Sequence, residues 1–326
     1  MHEEARHSTR AFAPASVANL TVGFDVLGVA IEPLGEPAWG DVVGVAAGAP
    51  GDPPLALTVA GPFASALDGS GENVVVTVAR ALLVEATRAG IEPGPLRLHL
   101  EKGLPVGSGL GSSAASSVAA LVALERHLGL ELEEEKRIAL AARGEETACG
   151  AAHVDNVAPS LLGGLLLLGP RGSVVRLPWP EDLFMVVARP DHSISTRTAR
   201  EVLPREVPLP VAVEQGRRLA ALVSALHRGE TGALAACLED GLAEPARTRL
   251  LPGFSAVKEA VLGRGALGFG LAGSGASVFA LAPSEEIARA LLPVLVDGFS
   301  RAGIPATAHR VRVDRRGARV LEGDSR

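Results

Sequence analysis

A glycine-rich segment near residue 110 has the composition of a loop that binds phosphate. Its residues are Pro105, Val106, Gly107, Ser108, Gly109, Leu110, Gly111, Ser112, Ser113, Ala114 and Ala115. The three alternating glycines allow positive φ angles and close approach of the backbone to a ligand. Ser112 and Ser113 stand where a helix is predicted to begin, so they can cap it. The exposed N–H groups and the positive dipole end then form an anion site.

Two better-known nucleotide motifs are excluded. No lysine follows the glycines, so the segment is not the GxxxxGK[ST] loop of common NTPases. Gly268–Gly273 matches GxGxxG, but we predict that it follows a helix and precedes a strand, the reverse of the order in a dinucleotide fold. The alternative for the loop is a flexible turn before a capped helix. Alternating glycines followed by two serines favour phosphate.

Acidic and amide side chains cluster between Glu145 and Asn156. Glu145 lies near the end of a predicted helix, and His153, Asp155 and Asn156 are predicted in a glycine-containing turn after it. A carboxylate beside a phosphate loop suits Mg²⁺, which takes few hard oxygen ligands and completes its shell with water and phosphate. A solvated helix end explains the spacing equally well. We expect His153 to be a structural hydrogen-bonding residue, because no second His or Cys lies at ligand spacing.

Other polar residues could hold a small substrate. Thr196 and Arg200 lie in one polar stretch, and Arg247 lies in another. A single arginine is usually a surface residue, but a carboxylate or phosphate is held well by two guanidinium groups. Asn19 and Asp25 lie in a turn-rich segment between apolar strands and could face a small polar ligand. On spacing alone, an ordinary hairpin turn is the better explanation.

The elements that must position these residues follow from periodicity. Short apolar or alternating runs predict strands at 41–47, 55–59, 96–100, 165–168, 174–177, 183–188, 275–282 and 306–313. Amphipathic or Ala-rich runs predict helices at 73–89, 112–128, 133–149, 213–228, 232–242, 254–264 and 285–302. The order lacks the strict βαβ alternation of a doubly wound sheet. We therefore predict an α+β fold with two layers in each domain.

The rigid polar break at Leu177–Asp182 is the predicted domain boundary. A chain of 326 residues suits roughly two domains of about 150 residues each, although one large α/β domain is compatible with this length. We therefore predict an N-terminal domain at 1–180 and a C-terminal domain at 181–326.

Charge and composition exclude several classes of protein. Lys plus Arg number 31 and Asp plus Glu number 37, which gives a net charge of −6. A general nucleic-acid binder would carry a basic face, so nucleic acid is not an expected partner. At 47% hydrophobic and 21% charged residues, the chain can bury a large core, and disorder is not expected. Cys149 and Cys237 make no disulfide framework and fit a reducing compartment.

Membrane and targeting signals are not evident. Residues 1–10 contain no apolar stretch of the kind found in signal peptides. The most apolar run, Leu161–Leu168, is about half as long as a membrane span. We expect a soluble, cytoplasmic protein without a membrane partner.

These motifs, in this order, resemble the GHMP small-molecule kinases over nearly the whole chain. Pro105–Ala115 is similar to the family's PxxxGLGSSAA phosphate loop, and Gly273–Ser277 is similar to its C-terminal glycine loop. Asn19–Asp25 and residues 152–159 are similar to the members that phosphorylate the amino acid L-homoserine, whereas mevalonate and galactose kinases differ there. The resemblance implies the GHMP kinase fold: a ribosomal-protein-S5-like N-terminal ATP-binding domain and a ferredoxin-like C-terminal domain. The active site would lie in the cleft between them.

The resemblance also implies a role for each candidate residue. ATP would lie on the phosphate loop with Asn73 near adenine. Ser112 or Ser113 and Glu145 would hold Mg²⁺, and Thr196 would contact the γ-phosphate. The residues that would surround L-homoserine are Asn19, Asp25, His153, Asn156, Arg200, Arg247 and Gly273. Within that set, Asp25 suits the ammonium group and the two arginines suit the carboxylate.

The implied reaction is transfer of the γ-phosphoryl group of ATP to the hydroxyl of L-homoserine, which yields O-phospho-L-homoserine for threonine synthesis. Phosphoryl transfer depends mostly on alignment and charge neutralisation, so a strong base is not obligatory. In related kinases an aspartate is the base, and Asp155 stands at the matching triplet. In the members that use homoserine, the residue matching Asn156 orients the hydroxyl instead. We favour orientation without a committed base.

The sequence leaves two alternatives open. One is another GHMP kinase that acts on a different small alcohol, such as mevalonate. The other is a non-catalytic nucleotide-binding regulator with the same fold, although the intact loop, Glu145 and Thr196 favour an enzyme. A homodimer is common in the family, but the sequence shows no interface signature.

Overall fold

The computed structural model describes residues 8–67, 72–149 and 153–322, except the side chains of residues 148 and 149. Part of the N-terminal stretch analysed for a signal peptide, residues 1–7, lies outside the described residues. So do residues 150–152 of the segment between Glu145 and Asn156, and the thiol of Cys149.

The strands of the described residues form one mixed sheet. Their bounds are β1 (Thr9–Ala18), β2 (Leu27–Pro33), β3 (Gly40–Ala47), β4 (Leu55–Ala60), β5 (Leu96–Glu101), β6 (Leu165–Leu168), β7 (Val174–Leu177), β8 (Phe184–Pro190), β9 (Gly268–Leu271), β10 (Val278–Ala282), β11 (Ala306–Val313) and β12 (Arg319–Leu321). The hydrogen-bonded order is β4-β5-β3-β1-β2-β11-β8-β10-β9, while β12 pairs with β1 and the β6–β7 hairpin joins β2. Only β4 and β5 run parallel among these described pairs.

Helices pack against this sheet in both halves of the chain. Their bounds are α1 (Val74–Arg88), α2 (Ser112–Leu128), α3 (Glu134–Cys149), α4 (Val154–Leu162), α5 (Thr196–Glu201), α6 (Leu209–Arg228), α7 (Glu244–Arg247), α8 (Phe254–Gly263) and α9 (Glu285–Arg301). In the first half, α2 contacts β1 and β3, and α4 contacts β1 and β2. In the second half, α9 contacts β8, β10 and β11. This arrangement confirms the predicted α+β class.

The elements that flank the phosphate loop follow from local sequence. In β5, leucines at 96, 98 and 100 are buried and alternate with exposed polar residues, which is the period of a strand with one face on the core. In α2 the small side chains from Ala114 to Ala120 are buried, so this helix packs closely on the sheet. Asn73 caps α1, because its Oδ1 accepts a hydrogen bond from Val75 N at 2.9 Å. Strand β5 and helix α2 therefore hold the phosphate loop from its two ends.

Two hydrophobic clusters form the core. The larger contains the buried faces of β1, β3, β5, α1 and α2, and it extends into the second half of the chain through residues such as Leu222, Leu226 and Phe279. The smaller lies among β8, β9, β10, α8 and α9. The aromatic rings of the smaller cluster include Phe254 and Phe269, whose centroids are 5.1 Å apart. Within the described residues, no helix combines the length and the apolarity that crossing a membrane requires.

Several local predictions were wrong. The helix predicted at 232–242 is a short 3-10 helix, Thr231–Ala236, followed by an irregular segment. That segment is irregular because Asp240 uses its carboxylate to accept backbone N–H groups at the start of α7. The strand predicted from Gly275 begins only at Val278, after the Gly273–Ser277 loop. The residues of the GxGxxG match are themselves mostly strand β9, so no dinucleotide-binding turn forms there.

The break at Leu177–Asp182 joins β7 to β8. Across it, the sheet is continuous through β2 and β11, with Ile31 opposite Val313 and Pro33 opposite Val311. The division into 1–180 and 181–326 stays a prediction.

Candidate active site

A cavity of about 450 Å³ lies between the phosphate loop and the segments of the second half. Its wall includes most of the residues that the sequence singled out: Asn19, Asp25, Asn73, Val106, Gly107, Ser108, Gly109, Gly111, Ser112, Ser113, Glu145, His153, Asp155, Asn156, Thr196, Arg247 and Gly273. Five candidates lie off the wall: Pro105, Leu110, Ala114, Ala115 and Arg200. The buried Leu110, Ala114 and Ala115 belong to the core instead.

The phosphate loop, residues 105–115, leaves the N-terminus of α2 open. Gly111 is the N-cap in a left-handed conformation with φ 66°, and no side chain caps the helix. The predicted capping by Ser112 and Ser113 is therefore wrong, because they are the first residues inside the helix. Free N–H groups at a helix N-terminus attract anions through hydrogen bonding and the dipole. This geometry suits a phosphate.

Close packing explains why two of the loop positions are glycine. A Cβ at Gly109 would lie 2.3 Å from Ala272 O, so the loop touches the segment before the C-terminal glycine loop. A Cβ at Gly111 would lie 2.2 Å from Ser16 Oγ, which itself donates a hydrogen bond to Asn156 Oδ1 at 2.9 Å. The phosphate loop is thus in direct contact with β1, α4 and the second half of the chain.

A buried ion pair that the sequence analysis missed holds the loop from behind. Lys102 and Asp41 form it, and both are almost fully buried. Asp41 Oδ1 accepts hydrogen bonds from the backbone N–H groups of residues 103 and 104, at 2.9 and 3.1 Å. Lys102 Nζ donates to Ser112 O at 2.9 Å and to Ser116 Oγ at 3.2 Å. The pair therefore ties β3 and the end of β5 to the first turn of α2.

Burial and neighbouring charges act in opposite directions on the pKa of the lysine in this pair. Burial lowers the pKa of Lys102, and the carboxylates of Asp41 and Glu145 oppose that shift. The only sequence feature that points to this ion pair is a lysine directly after the alternating strand β5. That lysine does not identify its partner, because Asp41 is distant in the chain.

Glu145 and Ser112 supply oxygen atoms suited to a hard cation. Glu145 is 3% exposed in α3 and lines the cavity. Ser112 Oγ donates its hydrogen to Leu104 O at 3.2 Å, which leaves its lone pairs available to coordinate a cation. A carboxylate, a hydroxyl and an adjacent phosphate site match the ligand preferences of Mg²⁺. The residues present therefore fit the predicted metal.

The segment from Asn19 to Asp25 connects the antiparallel strands β1 and β2, as the hairpin interpretation implies, but its backbone conformation is unusual. Asn19, Leu20, Thr21 and Asp25 all have positive φ, between 43° and 72°. Asn19 holds this conformation: its Nδ2 donates to Gly273 O at 3.0 Å, and its Oδ1 accepts from Asp25 N at 3.0 Å. Strained backbone of this kind persists where surrounding contacts enforce it, often at functional sites.

Two arginines lie next to this segment, of which Arg247 is on the cavity wall and Arg200 is not. Arg200 donates to both carboxylate oxygens of Asp25, at 2.7 and 3.2 Å. Arg247, 4% exposed, donates to Ala199 O at 3.0 Å and to Gly273 O at 3.1 Å. Both guanidinium groups lie over the ring of Phe24, at 5.5 and 5.2 Å from its centroid, which is cation–π distance. Burial, and then the charge of Arg200, lower the pKa of Arg247.

The predicted turn around His153 is wrong, since Asp155 and Asn156 lie in the first turn of α4. His153 stands directly before that helix, and its Nδ1 is 3.4 Å from a terminal nitrogen of Arg200. Burial and the charge of Arg200 lower the pKa of His153. Burial raises the pKa of Asp155 to about 7, and the carboxylates of Asp25 and Glu145 add to the rise.

Thr196 lines the same cavity from the second half of the chain. It is the first residue of α5, whose N-cap Ser195 accepts a hydrogen bond from Thr198 N at 3.0 Å. A Cβ at Gly107 would lie 2.7 Å from Ser193 Oγ, so this segment and the loop are in contact. The cavity is thus closed on two sides, by α2 and by the start of α5.

Comparison with known proteins agrees with this geometry. The family model for the GHMP kinases N terminal domain matches residues 73–164, and that for the GHMP kinases C terminal matches residues 222–296. A homoserine kinase structure from Cytophaga hutchinsonii is 36% identical with a TM-score of 0.86, over 98% of this chain and 99% of that chain. The chain belongs to the GHMP kinase family.

More distant structures share the fold of this GHMP kinase. The L. major mevalonate kinase in complex with R-mevalonate is 17% identical, with a TM-score of 0.68 over 95% of this chain and 98% of that one. A mevalonate kinase from methicillin-resistant Staphylococcus aureus is 20% identical, with a TM-score of 0.59 over 95% and 99%. The predicted GHMP kinase fold is confirmed, and ATP is the phosphoryl donor that the family generally uses.

Proposed function

We propose that this GHMP kinase transfers the γ-phosphoryl group of ATP to the hydroxyl of L-homoserine and forms O-phospho-L-homoserine in threonine biosynthesis. The observation that carries the proposal is the charge arrangement at one end of the cavity. There the carboxylate of Asp25 lies on the cavity wall and pairs with Arg200, and the guanidinium groups of Arg200 and Arg247 both lie over the ring of Phe24. An amino acid presents an ammonium and a carboxylate, which these groups complement. The 36% identity to a homoserine kinase supports the same substrate.

The other end of the cavity suits ATP. The open N-terminus of α2 would hold the phosphates. The buried Lys102–Asp41 pair fixes the first turn of that helix through the hydrogen bond from Lys102 to Ser112 O. Asn73 uses Oδ1 to cap α1, which leaves its Nδ2 donor available on the cavity wall for the adenine. A reaction that consumes ATP also agrees with a cytoplasmic location.

Ser112 and Glu145 would hold Mg²⁺, with Ser113 as the adjacent hydroxyl. The bound ion would neutralise charge on the phosphates. These residues keep their oxygen atoms in place through the hydrogen bond from Ser112 to Leu104 and through the burial of Glu145.

The chemical step depends on positioning. Asn156 would orient the acceptor hydroxyl, because its Oδ1 is fixed by Ser16 and its Nδ2 remains a donor. Thr196 would contact the γ-phosphate from the start of α5. Asp155, with a pKa near neutrality, would contribute a hydrogen bond without acting as a committed base. Alignment of this kind accounts for a large part of the rate of phosphoryl transfer.

A substrate panel tests the proposal. Purified protein with ATP and Mg²⁺ is offered L-homoserine, mevalonate, 4-hydroxybutyrate and 3-aminopropanol, and ADP release is followed. The last two compounds each lack one charged group of homoserine. We expect homoserine to be preferred over each by at least about thirtyfold in kcat/KM, because loss of a charged contact costs about 2–5 kcal/mol when the contact is buried. Equal use of 4-hydroxybutyrate, or a preference for mevalonate, would contradict the proposal. ATP binding without any ADP release would instead indicate a non-catalytic regulator.

A further inference from the structure

A buried glutamine outside the cavity connects the two segments that carry the charged groups. Gln215 lies in α6 and is 7% exposed. Its Nε2 donates to Val22 O at 2.9 Å and to Asp240 Oδ1 at 3.2 Å. Its Oε1 accepts from Gly241 N at 3.0 Å. Both donor hydrogens and the acceptor of this one amide are therefore in use, and none of these contacts faces the cavity.

Asp240 continues the connection towards Arg247. It is 8% exposed, and its two oxygens accept hydrogen bonds from the backbone N–H groups of residues 242, 243 and 244, at 2.8 to 3.2 Å. These groups lie at the start of α7, the four-residue helix Glu244–Arg247. So short a helix has little internal hydrogen bonding of its own. Asp240 therefore holds the start of the helix that carries Arg247, while Ala199 O and Gly273 O hold its guanidinium group.

Val22 continues the connection in the other direction. It lies in the middle of the segment from Asn19 to Asp25, whose left-handed residues require external contacts to stay in place. Asn19 fixes the segment at one end through Gly273 and Asp25. The hydrogen bond from Gln215 to Val22 O fixes it on the side away from the cavity.

We propose that Gln215 and Asp240 are positioning residues for the phosphoryl acceptor, and that they set the distance between Asp25 and Arg247. The inference rests on the proposed function, because it assumes that these two charged groups bind the acceptor. An amide is required at position 215, since one side chain must donate to a carbonyl and to a carboxylate while accepting from an N–H. A glutamate of the same shape lacks both donors and would face the carboxylate of Asp240.

Steady-state kinetics of Gln215→Glu test the inference. We expect the KM for the acceptor to rise at least about tenfold while the KM for ATP changes less than about twofold. Leu222→Ala is the matched control, because Leu222 is buried in the same helix about two turns beyond Gln215 and carries no hydrogen-bonding group. It should lower the melting temperature without changing the ratio of the two KM values. An equal rise in both KM values for Gln215→Glu, or no rise in either, would overturn the proposal.

An exchange of partners provides a second test. In the double variant Gln215→Glu with Asp240→Asn, the new amide at 240 can donate to the new carboxylate at 215. Its oxygen, in the place of Oδ2, can still accept from the N–H groups of residues 243 and 244. We expect the double variant to recover part of the acceptor KM lost in Gln215→Glu. Effects of the two substitutions that simply add would show that the residues are not coupled.

Hydrogen exchange separates this inference from the identity of the substrate. Mass spectrometry of the ligand-free protein should show faster amide exchange in Gln215→Glu both in residues 19–25 and in residues 241–247. Leu222→Ala should not change these two segments together. If the substrate panel identifies another acceptor, the kinetic tests are run with that compound. Unchanged exchange in the two segments would overturn the positioning role whatever the substrate.

Discussion

Both carboxylate oxygens of Asp25 accept hydrogen bonds from the terminal nitrogens of Arg200, at 2.7 and 3.2 Å, although the residues are 175 positions apart in the chain. The pair joins the segment after β1 to α5 and lies beside the cavity. Its side chains are 41% and 36% exposed, so the pair adds little to stability. Without a ligand, each group serves as the counter-ion of the other. An amino acid could pair with both groups at once, through its ammonium with Asp25 and through its carboxylate with Arg200.

Replacing Asp25 tests this exchange. We expect Asp25→Asn to raise the KM for homoserine at least about tenfold, because the variant loses the charge opposite the ammonium. The melting temperature should change little, since the ion pair is exposed. Glu230→Gln, which breaks another exposed ion pair, with Arg228, is the control and should leave both quantities unchanged. An unchanged KM in Asp25→Asn would remove the ammonium contact from the proposal.

Arg247 should contribute more than a surface arginine. Arg247→Ala removes a buried charged group, and we expect a loss of about 2–5 kcal/mol in homoserine binding, which corresponds to at least about a thirtyfold rise in KM. Arg249→Ala, in the same segment but exposed, is the control. A melting curve for each variant distinguishes loss of binding from unfolding. If Arg247→Ala and Arg249→Ala have the same KM, the carboxylate is bound elsewhere.

Glu145 should control the dependence on magnesium. We expect Glu145→Ala to abolish turnover at ordinary Mg²⁺ and to recover part of it as Mg²⁺ is raised, because a carboxylate ligand is lost. The adjacent Glu146 is exposed, so Glu146→Ala is a closely matched control. The measurement is kcat over a titration of Mg²⁺. Near-normal activity of Glu145→Ala at ordinary Mg²⁺ would refute the metal role.

Asp155 distinguishes orientation from base catalysis. We expect Asp155→Asn to keep at least about a tenth of the wild-type kcat, because a committed base is not part of the proposed mechanism, whereas loss of one costs about 10²–10⁴. The measurement is kcat and KM for homoserine at neutral pH. A collapse of kcat with an unchanged KM would identify Asp155 as the base.

The same side chain should make stability depend on pH. The pKa of Asp155 is raised from 3.8 to about 7, so the neutral carboxyl favours the folded state. That contribution is complete below about pH 4 and is lost as the pH rises to about 7. Asparagine stays neutral, so Asp155→Asn should gain stability relative to the wild type over this range, by up to about 1.4 kcal/mol per pH unit. Urea unfolding of both proteins checks it. A stability difference that is constant with pH would contradict the prediction.

Residues that are close in the chain account for the features that a local pattern can predict. Alternating glycines followed by an Ala-rich run specify a loop and a helix start, and the period of β5 specifies a half-buried strand. These are local consequences of backbone sterics and of side-chain spacing. The resemblance built on them also predicted most of the residues found on the cavity wall.

Contacts between groups that are distant in the chain depend on how the protein folds. Lys102 finds Asp41 61 positions away, and Gln215 reaches Val22 across 193 positions. No periodicity marks such partners, because each contact depends on how the sheet and helices pack. The same holds for Asp155: its pKa rises because folding buries its carboxyl and brings two carboxylates from other segments near it. Local sequence therefore specifies the phosphate loop, while packing determines the positions of the charged groups that would select the acceptor.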